Sequence, residues 1–341
     1  MIYTSVFLFG CGFVMGVVPT WKLERSVVVR AEEATDPSLG TNPMGRPLEE
    51  YVKYGIIVID KQSGPTSHEI VAWVKRLLEL DRAGHGGTLD PKVTGVLPIG
   101  LQESTKVVQA LLESGKEYVC MMRTHTDVNE SRVMGALGQF VGEVFQRPPV
   151  RSSVRRRLRT RMIYGIDYHE GSGRNWLFRV ACQSGTYIRK LCYDVGEILG
   201  CGAHMQELRR TRSGPFTEED LMSMYDLSEA LDLLREGDDG AMLRQVIRPL
   251  EDALGLLPKI WVRDSAVEAL CNGAALAMPG VLRLSSGIEP GSMVAVMTQK
   301  DEAVALMVAE VTTENITGSE KGITARPLRV IMRRGVYPRM W

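Results

Sequence analysis

The sequence predicts a mixed α/β (α+β) fold followed by a small β-rich domain. Strand and helix patterns alternate between Tyr54 and Leu199. The composition changes after Pro258, where short apolar runs are separated by glycine and proline. A chain of 341 residues is long enough for one large domain or two ordinary ones. We therefore expect two domains that meet near residue 257.

The N-terminal region is unusual for a globular chain. Residues 1–21 carry no charged side chain, which is typical of a signal peptide or a membrane anchor. No basic segment precedes the apolar run, and Met15 is a second candidate start, so we expect an apolar extension of doubtful reality over 1–20. Pro, Gly, Ser and Asn are frequent over 36–46, which predicts an extended N-terminal segment over 21–47.

A strand, a turn and a helix begin the globular part near Leu48. Residues 54–60 read YGIIVID, a short apolar strand. Thr66 and Glu69 have the spacing of a capping box, which predicts that a helix begins there. Residues 82–95 read RAGHGGTLDPKVTG, and this density of glycine and proline predicts an irregular loop where the backbone comes close to another group.

Regular elements continue beyond this loop. The patterns predict a helix over 105–112, a strand over 117–123, an amphipathic stretch over 129–141 and a strand over 176–183. A helix is expected over 186–199. Its inward residues are predicted to be Ile188, Leu191, Val195 and Ile198.

The charges cancel overall but are unevenly distributed. The 41 Lys and Arg residues balance 41 Asp and Glu residues, so net charge gives no argument for a nucleic-acid partner. Residues 151–161 contain six arginines and no acid, whereas 218–239 contain nine acids and one arginine. The arginine cluster predicts contact with a phosphate backbone, and a solvated face is the alternative.

Cysteine and histidine give no sign of a metal site. The six cysteines form no C-x-x-C pair, and the five histidines are isolated in the sequence. Reduced thiols are therefore expected, and no metal is predicted.

Three residues are candidates for chemistry, each with an ordinary alternative. Asp90 lies in the glycine-rich loop, where an aspartate often caps a turn or a helix. Arg189 is either solvated or paired with a carboxylate that it keeps ionised. Tyr118 is either a half-buried strand aromatic or a stacking platform. None of the three decides the function alone.

Four motifs together carry a resemblance to a known family. They are IDKQSGPTS over 59–67, GHGGTLDP over 84–91, GTYIR over 185–189 and AHMQELRRTRSGPF over 203–216. In this order they resemble the TruB-type pseudouridine synthases, and most closely the dyskerin branch, the catalytic subunit of archaeal box H/ACA ribonucleoproteins. The segment from Gly273 to Val281 resembles a PUA domain. Gln62 and Ser63 replace prolines that the family usually has.

The resemblance implies an RNA pseudouridine synthase that needs no cofactor. It implies a catalytic domain over 48–257, with a mixed, mainly antiparallel sheet and a central cleft. A small β-barrel-like PUA domain and a C-terminal tail are implied over 258–341. The family's catalytic residues carry over to Asp90, Tyr118, Arg189 and Leu208. Supporting residues carry over to Lys61, His85 and Thr88.

The roles implied for these residues follow the chemistry of the isomerisation. Asp90 attacks C1′, attacks C6 or stabilises a ribose intermediate, and the sequence leaves these three routes open. Arg189 holds Asp90 ionised, and Tyr118 stacks on the uracil and takes part in proton transfer. Leu208 is the apolar pocket residue. The target nucleotide must first leave its stack.

The resemblance also implies RNA and protein partners. A box H/ACA guide RNA would pair around an rRNA target, and a tRNA T-loop is a second substrate. Companion proteins would be a small Nop-type protein, a Gar-type protein and a kink-turn-binding ribosomal-protein relative, in a cytoplasmic setting without a membrane. RNA contacts are predicted at Arg155, Arg156, Arg157, Arg159, Gly273 and Gly280. The alternatives are a guide-independent tRNA enzyme and a non-catalytic RNA-binding scaffold.

Overall fold

The structure is a computed structural model that describes residues 13–15, 17–147 and 157–340. Its strands are β1 (Phe13–Met15), β2 (Val27–Val29), β3 (Gly55–Lys61), β4 (Ala83–His85), β5 (Thr94–Leu101), β6 (Lys116–Thr124), β7 (Gly142–Gln146), β8 (Arg159–Ser172), β9 (Asn175–Cys182), β10 (Ala203–Ser213), β11 (Phe216–Thr217), β12 (Arg248–Pro249), β13 (Lys259–Val262), β14 (Leu276–Ala277), β15 (Val281–Ser285), β16 (Met293–Met297), β17 (Ala303–Ala309) and β18 (Ile323–Val330).

Helices connect these strands. The α-helices are α1 (Leu48–Lys53), α2 (Ser67–Leu77), α3 (Val108–Glu113), α4 (Glu130–Gly138), α5 (Ile188–Leu199), α6 (Met224–Arg235), α7 (Ala241–Val246), α8 (Asp264–Cys271) and α9 (Thr313–Gly318). Short 3₁₀ helices lie at Thr20–Lys22, Pro43–Gly45, Gln102–Val107, Glu218–Asp220, Leu250–Leu254 and Met278–Gly280.

Eleven of the described strands form the first sheet. Its main order is β1-β8-β9-β6-β10-β5-β3-β12, and β7, β4 and β11 attach to β8, β5 and β10. Among these strands only β5 and β10 pair in parallel. The expected mixed, mainly antiparallel sheet is thus confirmed.

The second sheet confirms the predicted β-rich domain. Its order is β14-β18-β17-β16-β13-β15-β2. The last strand, β2, comes from the N-terminal segment and pairs antiparallel with β15. Arg30, just after β2, donates hydrogen bonds to the carbonyl oxygens of Ile316 and Ser319. A segment that lies between β1 and β3 of the first sheet along the chain therefore forms an edge of the second.

The continuous apolar run of β3 follows from burial on both faces. Ile57 and Ile59 pack with α2, α6 and α7 on one face. Ile56 and Val58 point to the other face and pack with residues of the second sheet, including Met297. A strand covered on both sides has no position for a solvated polar side chain, which explains the sequence GIIVI.

Helix α2 confirms its predicted start, and α5 corrects one prediction. Thr66 Oγ accepts a hydrogen bond from the Glu69 amide, and the Glu69 carboxylate accepts one from the Thr66 amide. In α5, Ile188, Leu191 and Val195 are buried, but the prediction for Ile198 was wrong because its side chain is 47% exposed. Three turns span about eleven residues, so Leu199 returns to the buried face instead.

Several classes of feature are absent from the part of the chain that the structure describes. Its five cysteines are free, and Cys11 lies outside it. No cluster of three or more His, Cys, Asp or Glu side chains within it has the arrangement of a metal site. None of its helices has the length and apolar character needed to cross a membrane.

Candidate active site

A cavity of about 460 Å³ lies where two hydrophobic cores of the first sheet meet. One core joins α4 and α5 to β6, β8 and β9, and the other joins α2, α6 and α7 to β3 and β5. Tyr118, Met205 and Leu208 pack against both cores and line the cavity. The rest of the wall includes Gly87, Thr88, Leu89, Asp90, Lys116, Ser184, Gly185, Thr186, Tyr187, Arg189 and Arg210.

Asp90 and Arg189 lie side by side in the wall of this cavity. Nη2 of Arg189 donates to Oδ2 of Asp90 and forms an ion pair with it. The two residues are 99 positions apart in sequence. Arg189 is the second residue of α5, and Asp90 lies in the loop before β5. Both side chains keep about half of their surface accessible, so the carboxylate is within reach of a bound nucleotide.

The backbone of the loop that contains Asp90 forms hydrogen bonds with the buried side chains of Lys61 and Ser67. Lys61 Nζ donates to the carbonyl oxygens of Pro91 and Val93, both at 2.9 Å, and to that of Gln62 at 3.0 Å. Burial lowers the pKa of Lys61. Ser67 Oγ accepts from the Leu89 amide at 2.8 Å and donates to the Leu89 carbonyl at 3.1 Å. Lys61 thus contacts the backbone on the C-terminal side of Asp90.

Tyr118 and Leu208 lie on adjacent antiparallel strands. In this pairing Tyr118 is opposite Arg210, and Leu208 is opposite Cys120. Leu208 and Arg210 are two residues apart on β10 and both line the cavity, as the alternation of side chains along a strand requires. Burial raises the pKa of Tyr118, and the charge of Arg210 acts in the opposite direction.

The two remaining supporting residues differ in position. Thr88 lines the cavity. His85 lies on β4 and does not line the cavity, and its ring is edge-on to that of His68 at a centroid distance of 5.0 Å. Burial and the neighbouring His68 lower the pKa of His85, which favours the neutral imidazole.

The predicted RNA-binding residues that the structure describes are not among those that line the cavity, although Arg161 of the same arginine cluster is. Arg155 and Arg156 are outside the described residues, Arg157 is exposed, and Arg159 begins β8. Gly273 follows α8 with φ of +88°, and its amide donates to the Leu270 carbonyl at 2.9 Å. Gly280 would place a Cβ 3.3 Å from the side chains of Ala266 and Leu276. Each of these two glycines therefore has a backbone or packing reason to be glycine.

The cavity residues that sequence reasoning missed include two buried cations, Lys116 and Arg210. Both are buried, and both are two residues from a predicted site residue on the same strand. The signal that would have found them is the period of two, because Lys116 shares a strand face with Tyr118 and Arg210 shares one with Leu208.

Comparisons with known proteins cover almost the whole chain. The family models that match are the DKCLD (NUC011) domain over 20–71, the TruB family pseudouridylate synthase N-terminal domain over 75–188, the tRNA pseudouridylate synthase B C-terminal domain over 189–255 and the PUA domain over 258–331. A probable tRNA pseudouridine synthase B of Methanopyrus kandleri is 52% identical over 93% of this chain and 94% of its own length. The chain belongs to the TruB family of pseudouridine synthases.

Other TruB-family relatives and solved structures agree with this assignment. The probable tRNA pseudouridine synthase B of Thermococcus kodakarensis is 52% identical over 94% of this chain and 95% of its own length. A chain of a Cbf5-Nop10-Gar1 complex has a TM-score of 0.89 at 49% identity, covering 94% of this chain and 98% of that one. A chain of an H/ACA RNP bound to a substrate RNA containing 2′-deoxyuridine has a TM-score of 0.88 at 47% identity, covering 95% and 100%. This TruB-family chain is therefore a pseudouridine synthase.

Proposed function

We propose that this enzyme converts uridine to pseudouridine at positions selected by a box H/ACA guide RNA, mainly in rRNA. The observation that carries the proposal is the Asp90–Arg189 ion pair in a cavity also lined by Tyr118 and Leu208. The similarity to a chain of an H/ACA RNP with substrate RNA supports guide-directed selection.

The isomerisation needs an anion and a place to keep a free base. The N1–C1′ bond breaks, the uracil turns, C5 bonds to C1′ and loses its proton, and N1 gains one, with no net oxidation or reduction. In our proposal the Asp90 carboxylate, held by Arg189, attacks C1′ or C6 or stabilises positive charge on the ribose. Tyr118 stacks on the uracil and exchanges a proton with it, and Leu208 gives it an apolar contact. The cavity has the size of a small-ligand pocket.

The proposed partners follow from the same similarity. One similar chain was solved in a Cbf5-Nop10-Gar1 complex, which supports a Nop-type and a Gar-type companion for this protein. We extend the proposal to a kink-turn-binding ribosomal-protein relative and to a cytoplasmic setting. The arginine cluster of residues 151–161 and the PUA domain would contact RNA backbone.

A second candidate function is guide-independent modification of tRNA. The names of the relatives from Methanopyrus kandleri and Thermococcus kodakarensis favour it. The two activities are compatible, because the same cavity would accept a uridine presented by a tRNA T-loop or by a guide–target duplex.

Tritium release from [5-³H]uridine RNA tests these proposals. The assay uses an rRNA target with and without its guide, a tRNA, and companion proteins in all reactions. We expect guide-dependent release from the rRNA target and no release by Asp90→Asn. Asp127→Asn, which changes an exposed aspartate outside the cavity, is the matched control and should keep the wild-type rate. Guide-free turnover of the rRNA target would contradict guide selection, and an active Asp90→Asn variant would contradict the role of Asp90.

A further inference from the structure

Two buried cations form part of the cavity wall without a carboxylate partner. Arg210 is 1% exposed and Lys116 is 4% exposed. Arg210 Nε donates to the Val96 carbonyl at 2.7 Å, and Nη2 donates to the Gly87 carbonyl at 3.1 Å. Lys116 Nζ donates to the carbonyl oxygens of Leu111 and Ser114. Within the described part of the chain, neither cation forms an ion pair with an acid.

This arrangement leaves excess positive charge in the wall of the cavity. Buried charges are normally paired, because removing an ion from water is costly. The negative charge of Asp90 is already matched by Arg189. Burial and the charge of Arg210 lower the pKa of Lys116 to about 7, whereas a guanidinium stays charged at any physiological pH. Arg210 is therefore a permanent, buried cation of this wall without a carboxylate partner.

The guanidinium also has room to contact a ligand. The hydrogen bonds to the Val96 and Gly87 carbonyls and to the Tyr118 hydroxyl use three of the five N–H donors of Arg210, which leaves two for a ligand. A Cβ at Gly87 would lie 3.5 Å from Nη1 of Arg210, and glycine leaves that space free. Arg210 shares a strand face with Leu208 and is opposite Tyr118, so it adjoins the two residues proposed to hold the base.

We propose that Arg210 is a further catalytic residue that stabilises the negative charge of the detached uracil, an inference that rests on the proposed function. When the N1–C1′ bond breaks, its electron pair stays on N1 and spreads over the ring to O2 and O4. The Asp90 carboxylate stabilises the positive charge left at C1′. The ring then uses an electron pair at C5 to form the C5–C1′ bond, C5 loses its proton, and N1 gains one. A fixed cation near the ring oxygens stabilises the charged stage without reorganisation.

Leaving-group chemistry separates this role from a structural one. Fluorine at C5 withdraws electrons, so a 5-fluorouracil anion needs less stabilisation than a uracil anion. Guide complexes would be loaded with a target containing uridine or 5-fluorouridine. C5 of 5-fluorouridine carries no proton, so this substrate cannot complete the last deprotonation. Single-turnover rates would therefore be measured for both substrates as loss of the starting nucleoside, by chromatography after complete digestion. The informative quantity is the ratio of the two rates in each variant.

We expect Arg210→Gln to slow the uridine reaction by about 10²–10³-fold, the range for loss of one preorganised donor. The factor by which the 5-fluorouridine reaction slows should be at least ~10-fold smaller than the factor for uridine, since a better leaving group depends less on this donor. Arg210→Lys keeps the charge and should recover a large part of the uridine rate. Arg212→Gln, the same change two residues along β10 and outside the cavity lining, should leave both rates unchanged.

Equal slowing of both substrates by Arg210→Gln would overturn the inference, as would a wild-type rate. Circular dichroism and guide-RNA binding report whether the variant folds. If Arg210→Gln does not fold, Lys116→Gln is measured at pH 6 in its place. That change removes the positive charge next to Arg210, so it should slow the uridine reaction more than the 5-fluorouridine reaction. A wild-type complex that converts neither substrate would contradict the proposed function itself. An active wild type with equal slowing in the variants would contradict only the role of Arg210.

Discussion

The Asp90–Arg189 pair and the lysine that fixes the Asp90 loop, Lys61, differ in their exposure to water. The Asp90–Arg189 pair is half-exposed, and water screens such a pair enough that it adds little to stability. Lys61, in contrast, is fully buried and satisfies three backbone carbonyls. The accessible residues of the site are therefore available for chemistry, while buried residues fix the backbone around them.

Lys116 gives the stability of the protein a pH dependence of defined sign. Burial lowers its pKa to about 7, whereas a lysine in an unfolded chain titrates near 10.5. Between these values the unfolded chain binds a proton that the folded chain does not, so stability rises with pH. Below pH 7 the lysine is protonated in both states, and its contribution is constant and least favourable. We expect Lys116→Met to lose this rise, which is at most about 1.4 kcal/mol per pH unit.

Urea unfolding between pH 6 and pH 10 measures this difference. Lys53→Met, which changes an exposed lysine on α1, controls for the loss of one titratable group. Parallel stability curves for wild type and Lys116→Met would show that Lys116 keeps an ordinary pKa in the folded chain.

Residues of the candidate site could be predicted from the sequence only where they lie in a recognisable motif. Asp90 and Arg189 each had an ordinary alternative, and the order of four motifs was needed to favour their functional roles. Arg210 stands in the same RRTR sequence as two other arginines. Its burial depends on the parallel pairing of Arg210 with Gly95 on β5, a contact between distant strands that sequence spacing does not encode.

At the scale of elements, α2 and the Asp90 loop act as one unit. Ser67, the first residue of α2, makes two hydrogen bonds to Leu89, which is adjacent to Asp90. We expect Ser67→Ala to lower the free energy of unfolding by about 1–3 kcal/mol, because the buried Leu89 amide and carbonyl lose a partner. The rate should also fall, since the loop would no longer fix the carboxylate.

The matched control for Ser67→Ala is Thr312→Ala. Thr312 caps α9 in the second domain, and its loss should cost about 1 kcal/mol without changing the rate. Chemical denaturation and single-turnover kinetics of both variants test the prediction. A Ser67→Ala variant that is less stable but has the wild-type rate would show that Lys61 alone fixes the loop.

Elements with strong local signals were predictable, and those set by distant contacts were not. The capping box at Thr66 located the start of α2 because both of its partners lie within four residues. The run of three valines in β2 is too short for a sequence pattern to predict a strand. It forms one because it pairs with β15, about 255 residues later in the chain. Ile198 was misplaced because the pattern was extended by three residues where the turn required four.

At the scale of the whole molecule, the two sheets share a core. Residues of β3 and β5 pack in one cluster with Met297, Leu306 and Ile331 of the C-terminal region. Lys106 Nζ also donates to the Ile331 carbonyl at 2.9 Å. The change in composition at Pro258 marks a change of sheet, but it gave no sign of this contact. We therefore expect the two sheets to unfold together.

A buried ion pair at this junction provides the sharpest test. Arg46 donates to both carboxylate oxygens of Glu251, at 3.0 and 2.7 Å, and the same carboxylate accepts from the Ala303 amide at 3.0 Å. Because both side chains are at least nine-tenths buried, Arg46→Met leaves an unpaired buried charge and should cost about 3–5 kcal/mol. Adding Glu251→Leu removes that charge and should recover part of the loss. Arg235→Met, which breaks an exposed pair with Asp232, should cost less than about 1 kcal/mol.

Calorimetry measures whether the two sheets unfold together. It should give one transition in wild type and one transition at a lower temperature in Arg46→Met. Two separate transitions in wild type would show that the shared core does not couple the sheets.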